Sequence, residues 1–498
     1  MIWSKSLKIQ VFSISILSYI CFVINYLKLQ KESLFLYLNN ALVAILSFAS
    51  IAILSHYLIP YEYGKFRYAL SLVNISTSIG ALGLAQSIYY FLNSSTNKNE
   101  EYQYINASRV ILLFTSLLAG FVLFLITIAF PLPGFNINLF NIFLIVLISV
   151  LQITELNIFI KNKFTFYYFT NIISSYIIRI ALFYYAYTEN VKLDVYIQIW
   201  LFNVLLSAFI NQIFIEYIYK NEKFVLLISK IKDLWKYSLP IGLGLFFGIV
   251  LGQTDRYIVI SFFKDAEKLA ILSNANFEIP IISALYTSFF TIAFPGMLKA
   301  FENKDVHSLI SQRHNYQLNV SSILFPICIA LIVFSTEILT FLFGDFYHKS
   351  ATLFAIYSIT YFFRFTSYHD LFLISGRTKF IAYIQAVEMF FHILLCTLFI
   401  YWFDVLGASI AVLVTNFLYF LVSSYLGAKT CKIPLHKLYP NKQLLFNLLI
   451  SIVVVSPFYL IIHLQENLYL KIIFIAVYCT FATLTLFYLQ FNKKKNAV

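Results

Sequence analysis

Fourteen long apolar runs follow one another along this 498-residue chain with almost no polar sequence between them. They cover approximately 34–59, 66–92, 109–130, 139–160, 165–187, 194–219, 236–262, 269–298, 314–342, 350–374, 380–402, 405–427, 443–463 and 468–490. Each reaches the ~20 residues that a helix needs to cross a bilayer. They are continuous rather than short alternations, which argues against a barrel of transmembrane strands. Only 11% of the chain is charged, against about 25% in a soluble domain. That leaves too little polar surface for a soluble enzyme or a disordered protein. The five cysteines (Cys21, Cys328, Cys396, Cys431, Cys479) show no pairing by spacing and read as inert thiols, with no metal set among them.

Charge placement sets the orientation. Lys and Arg number 35 against 22 Asp and Glu, a net charge of +13. Counting residues at run ends with the adjoining loops, twenty-five of the basic residues fall in alternate loops and at the two ends, seven in the intervening loops, and three well inside runs. Under the positive-inside rule this predicts that both termini are cytoplasmic. Residues 9–27 could span by length, but Lys5, Lys8, Lys28 and Lys31 flank both ends. They read as an interfacial helix on the cytoplasmic face, within an N-terminal segment 1–33. No loop on the other face exceeds about eight residues, so nothing there is large enough for the catalytic groups of a polysaccharide polymerase or ligase. A nucleotide-binding P-loop and a contiguous nucleic-acid patch are also missing from the sequence.

The runs divide into halves. Six occupy 34–219 and six occupy 236–427, joined by a predicted amphipathic linker at 220–235; two more lie at 443–490. An even count per half makes the halves a parallel repeat. Tyr61-Glu62-Tyr63-Gly64-Lys65-Phe66-Arg67-Tyr68-Ala69 and Glu267-Lys268-Leu269-Ala270-Ile271-Leu272-Ser273-Asn274-Ala275 echo one another at equivalent places.

The three intramembrane cations are Arg179, Arg256 and Arg364. A charge at the bilayer centre costs at least ~2.5–3.5 kcal/mol, so each must face a protein interior. They are candidates for binding an anionic substrate through guanidinium forks. The alternative is structural ion pairing with Glu278, Glu388, Asp255 or Glu155, strongest for Arg256 beside Asp255. Asp255, Glu278, Glu388 and His392 are candidates for coupling-ion or ion-pair sites, with Glu388 and His392 one helical turn apart. Pro240, Gly242, Gly244, Gly248 and Gly252 concentrate in one run. The GxxxG spacing of Gly244, Gly248 and Gly252 suits close helix packing, and the glycines with the proline suit a bending gate helix.

Several short motifs, in order, resemble one known family. They are Pro60-Tyr61-Glu62-Tyr63-Gly64-Lys65-Phe66, Gly80-Ala81-Leu82-Gly83-Leu84-Ala85-Gln86-Ser87, Asp255-Arg256-Tyr257-Ile258-Val259, Leu342-Phe343-Gly344-Asp345-Phe346-Tyr347, Gly376-Arg377-Thr378-Lys379 and Gly407-Ala408-Ser409-Ile410-Ala411. Together they resemble the oligosaccharide flippases of polysaccharide biosynthesis, in the superfamily that also holds MATE drug exporters and lipid II flippases. Ala270 departs from the family's usual glycine. The resemblance implies an all-α polytopic membrane protein of about 14 transmembrane helices, as two six-helix bundles plus two C-terminal helices. It implies a transporter rather than an enzyme, in the bacterial inner membrane. An undecaprenyl-pyrophosphate-linked oligosaccharide for O-antigen or capsule would cross from the cytoplasmic to the outer leaflet. Expected partners are membrane lipids, H+ or Na+ as coupling ion, and other polysaccharide-assembly membrane proteins; no nucleic acid and no cofactor is expected. A drug or cation antiporter of the same fold is the rival, and would favour an acidic cavity.

Overall fold

The computed structural model describes residues 31–277, 279–377 and 379–495. The run 9–27 and Glu278 therefore lie outside the described residues. Within them the chain is helical, without strands. The first half comprises α1 (Lys31–Tyr57), α2 (Pro60–Ala81), α3 (Leu84–Ser94), α4 (Lys98–Ala129), α5 (Leu139–Leu151), α6 (Glu155–Lys161), α7 (Thr165–Thr188) and α8 (Leu193–Ile218). The second comprises α9 (Ile228–Phe263), α10 (Ala266–Ala275), α11 (Pro280–Glu302), α12 (Val306–Val333), α13 (Ser335–Phe343), α14 (Ala351–Thr360), α15 (Asp370–Ile374), α16 (Lys379–Phe403) and α17 (Leu406–Thr430). Helices α18 (Asn441–Leu464) and α19 (Leu468–Lys495) follow.

Local chemistry sets many of these boundaries. Pro60 occupies the first turn of α2, where its missing N–H costs nothing. Asn97 caps α4 by accepting from the Glu100 N–H at 2.9 Å. Asp265 and Asp305 cap α10 and α12 in the same way. Leu82 and Gly83 both adopt left-handed backbone and break one apolar run into α2 and α3.

Twelve helical stretches among the described residues are long and apolar enough to cross a membrane, counting α2 with α3 and α5 with α6. The two remaining predicted spans are interrupted. The run 269–298 is split between α10 and α11, because Pro280 disfavours helical backbone at Ile279, which is extended. The run 350–374 becomes α14, a 3-10 turn over Tyr361–Phe365, an extended Thr366 and the short α15. The predicted linker also shrinks. Helix α9 starts at Ile228, so only residues 219–227 connect the halves, and Leu234 is fully buried against the first half rather than lying on the surface.

The loops on one face of the molecule, the basic face, hold most of the Lys and Arg, and those on the opposite face hold few. The two sequence echoes pack directly on each other near the opposite face, α2 against α10. Gly64 is required there, since a Cβ would run into the Ala266 carbonyl. Tyr63 Oη donates to Asn274 Oδ1 at 2.8 Å across the same contact. Near the basic face, α9 packs on α3 and α4. Ser87 Oγ donates to the Leu234 carbonyl at 3.2 Å, Tyr90 stacks on Tyr237 at 4.7 Å, and Lys230 pairs with Glu100 at 2.6 Å. Helices α18 and α19 pack on α12, joining Ile329, Ala330 and Phe334 to Val455, Ile462 and Tyr478.

Candidate functional site

Between the two halves lies a cavity of about 800 Å3. Its walls come from α1, α2, α5, α7 and α8 on one side and from α9, α14, α16 and α17 on the other. Both interrupted spans border it, through Asn276 and Phe277 and through Tyr357 to Arg364. Irregular backbone at membrane depth is tolerated where it is enclosed by protein or lines a polar cavity.

All three predicted cations, Arg179, Arg256 and Arg364, line this one space. Arg179 donates to Ser50 Oγ at 3.0 Å and lies over the Tyr176 ring at 4.3 Å. Arg256 donates from Nη1 to Gln253 Oε1 and from Nη2 to the Asn276 carbonyl at 3.2 Å. The Nε of both is buried without a partner. Among the described residues neither guanidinium meets a carboxylate within ion-pair distance. Arg364 lies over Tyr361 at 5.2 Å and Tyr286 at 6.0 Å.

Arg256 and Asp255 make no direct side-chain ion pair, and the Asp255 charge reaches Arg256 only through space. Asp255 Oδ1 accepts the backbone N–H of Arg256 at 2.8 Å, while Oδ2 accepts from Asn276 Nδ2 at 2.6 Å and Tyr357 Oη at 2.9 Å. Adjacent residues on a helix point about 100° apart, so sequence neighbours do not make side-chain pairs. Glu155 is likewise used elsewhere, accepting from Asn211 and Gln212 at 2.6 and 3.2 Å.

Asp255, Glu388 and His392 share the cavity with the arginines. His392 Nδ1 lies 3.2 Å from Thr415 Oγ1 on α17 rather than on Glu388. Glu388 makes no hydrogen bond or ion pair among the described residues, so its carboxylate faces the cavity alone.

The glycines separate. Gly248 and Gly252 line the cavity, and nothing lies within 4 Å of where a Cβ would sit on either. Close helix packing on these two is thus overturned; their missing side chains leave room in the lumen. The close approach occurs at Gly242, where a Cβ would meet the Leu82 backbone. Pro240 and Gly244 lie within α9.

Arg67 was missed by the sequence reading, which counts it among loop residues. It is 7% exposed, and lines a chamber of about 300 Å3 that shares Arg256, Asn74 and Asn276 with the main cavity. Its Nη2 donates to the Ser273 carbonyl at 2.6 Å and its Nη1 to Tyr63 Oη at 3.3 Å. The signal was Pro60, which starts the helix six residues earlier than apolarity alone suggests. Arg313, also counted as a loop residue, is buried in α12, pairs with Asp370 at 2.7 Å and does not line the cavity.

A membrane-spanning chain of two packed helical halves with a polar chamber between them has the fold of solved transporters. Lipid II flippase MurJ, in an inward closed conformation, is similar at a TM-score of 0.67, with 16% identity over 91% of this chain and 99% of that one. An inward-facing multidrug resistance MATE family transporter of the MOP superfamily is similar at a TM-score of 0.57, with 12% identity over 78% of this chain and 94% of that one. At these identities the likeness defines the fold. The chain belongs to the polysaccharide biosynthesis protein family, whose model matches residues 29–301. No curated protein matches it in sequence.

Proposed function

We propose that this protein carries a lipid-linked oligosaccharide, borne on undecaprenyl pyrophosphate, from the cytoplasmic to the outer leaflet of the bacterial inner membrane for surface polysaccharide synthesis. The observation that carries this reading is the cavity between the halves, where Arg179 and Arg256 have only neutral partners among the described residues. A guanidinium that meets no carboxylate within ion-pair distance keeps donors free for an anion, and a diphosphate supplies charge in the geometry that guanidinium forks match. Residues 34–219 and 236–427 act as the two moving bodies, with both termini cytoplasmic, and substrate gains access from each side in turn.

Ion coupling fits the same chamber. Glu388 faces the lumen unpartnered, close to a network of Asp255, Tyr357 and Asn276, and can bind or release a cation as the chamber changes exposure. The cation-antiporter reading draws on Glu388 and Asp255 alone and leaves the arginines without a use. Deleting the gene should leave lipid-linked repeat units in the cytoplasmic leaflet and deplete surface polysaccharide. Normal surface polysaccharide in a strain with no second flippase would refute the assignment.

A further inference from the structure

The three loops that the first half presents on the opposite face converge on a second pocket of about 360 Å3, separate from the central cavity. The α1–α2 connection contributes Tyr57 and Glu62, the α4–α5 connection Asn136, and the α7–α8 connection Tyr187, Asn190 and Asp194. Tyr57 and Tyr187 stack at 4.4 Å with an interplanar angle of 11°. Asp194 Oδ1 is buried and accepts no hydrogen bond. The Asn136 and Asn190 side-chain amides make no hydrogen bond to protein among the described residues. Asn190 sits in left-handed backbone (φ 50°), which ends α7 and turns the chain toward the pocket.

We propose that this pocket is a saccharide-binding subsite on the opposite face of the protein. A sugar ring offers an apolar C–H face that rests on a tyrosine ring and vicinal hydroxyls that both donate and accept. A free carboxylate oxygen accepts from such hydroxyls, and two free amides supply both donors and acceptors. The volume falls in the ~300–1,000 Å3 range of small-ligand pockets. A cation is a poorer fit, because Glu62 is already held by Lys65 at 2.9 Å and Lys192 also lines the pocket. An acyl chain would leave the carboxylate and both amides unsatisfied. Given the flippase reading, on which this role rests, the subsite receives carbohydrate at the exit side while the diphosphate is still held by the arginines.

The test is saturation-transfer NMR and calorimetry on the full chain in nanodiscs, free of glycoside detergent. The probes are glucose, galactose, N-acetylglucosamine and N-acetylgalactosamine, with a β1,4-linked disaccharide of each. Saturable binding of at least one probe is expected. It should weaken at least tenfold in Asp194→Asn and in Tyr187→Ala. The double variant Asn136→Ala with Asn190→Ala repeats the measurement on exposed side chains, should either single variant fold poorly. Absence of saturable binding by every probe, or equal binding by wild type and the pocket variants, overturns the proposal. Failure of the flippase reading is seen separately, as normal surface polysaccharide after gene deletion in a strain with no second flippase.

Discussion

Buried arginines in this chain fall into two kinds, distinguished by what each guanidinium meets. Arg313 is matched: Asp370 accepts from Nε, the Leu438 carbonyl from Nη1 and Thr366 Oγ1 from Nη2. Breaking such a pair leaves a buried charge uncompensated, at a cost of about 3–5 kcal/mol. Arg313→Gln should therefore lower the melting temperature, with transport falling only in step with the folded protein. Arg179 and Arg256 hold no carboxylate within ion-pair distance among the described residues. Gln at either position should leave thermal stability at or above wild type and reduce surface polysaccharide at least tenfold at equal protein abundance. Arg256→Lys should fail as well, since one ammonium cannot reach Gln253 and the Asn276 carbonyl as a planar fork does. The three cavity arginines were legible because charge inside an apolar run needs a reason. Arg67 was not, because it sits at the edge of the run 66–92 and reads there as a flanking loop charge, whereas the helix start at Pro60 places it about two turns inside the helix. The absence of an Arg256–Asp255 pair needs the positions of Asn276 and Tyr357, which come from other elements.

At the level of elements, two of the four glycines of α9 look alike in sequence and differ in surroundings. Gly248 opens onto empty lumen, whereas Gly242 sits against the backbone of Leu82 at the contact between halves. Gly248→Leu should fill the cavity and block transport while insertion and melting temperature stay at wild-type values. Gly242→Leu should instead wedge α9 from the α2–α3 break, lowering the melting temperature and raising the reactivity of a cysteine placed at Ser87. Retained transport in Gly248→Leu would contradict the lumen assignment. Fourteen runs were readable from hydropathy, and twelve are continuous helical stretches or near-continuous pairs. The two that break, around Ile279–Pro280 and Tyr361–Thr366, border the cavity. A sliding average smooths over a single proline or extended residue, so the interruptions that shape the lumen are what hydropathy hides.

For the whole molecule, the two halves touch near both faces with the cavity between. The α2–α10 contact closes one end, and Ser87–Leu234, Tyr90–Tyr237 and Glu100–Lys230 close the other. Access from either side requires one of these contacts to part. In a background lacking native cysteines, Tyr90→Cys with Tyr237→Cys, bridged by a short reducible bis-thiol reagent, should stop transport. Reduction should restore it. The most direct measurement of the central claim is the leaflet distribution of undecaprenyl-pyrophosphate-linked oligosaccharide in a deletion strain complemented with wild type or with Arg179→Gln and Arg256→Gln together. Wild type should move the lipid-linked units to the outer leaflet, and the double variant, at equal abundance, should leave them in the cytoplasmic leaflet. Outer-leaflet delivery by the double variant at the wild-type rate would contradict the account.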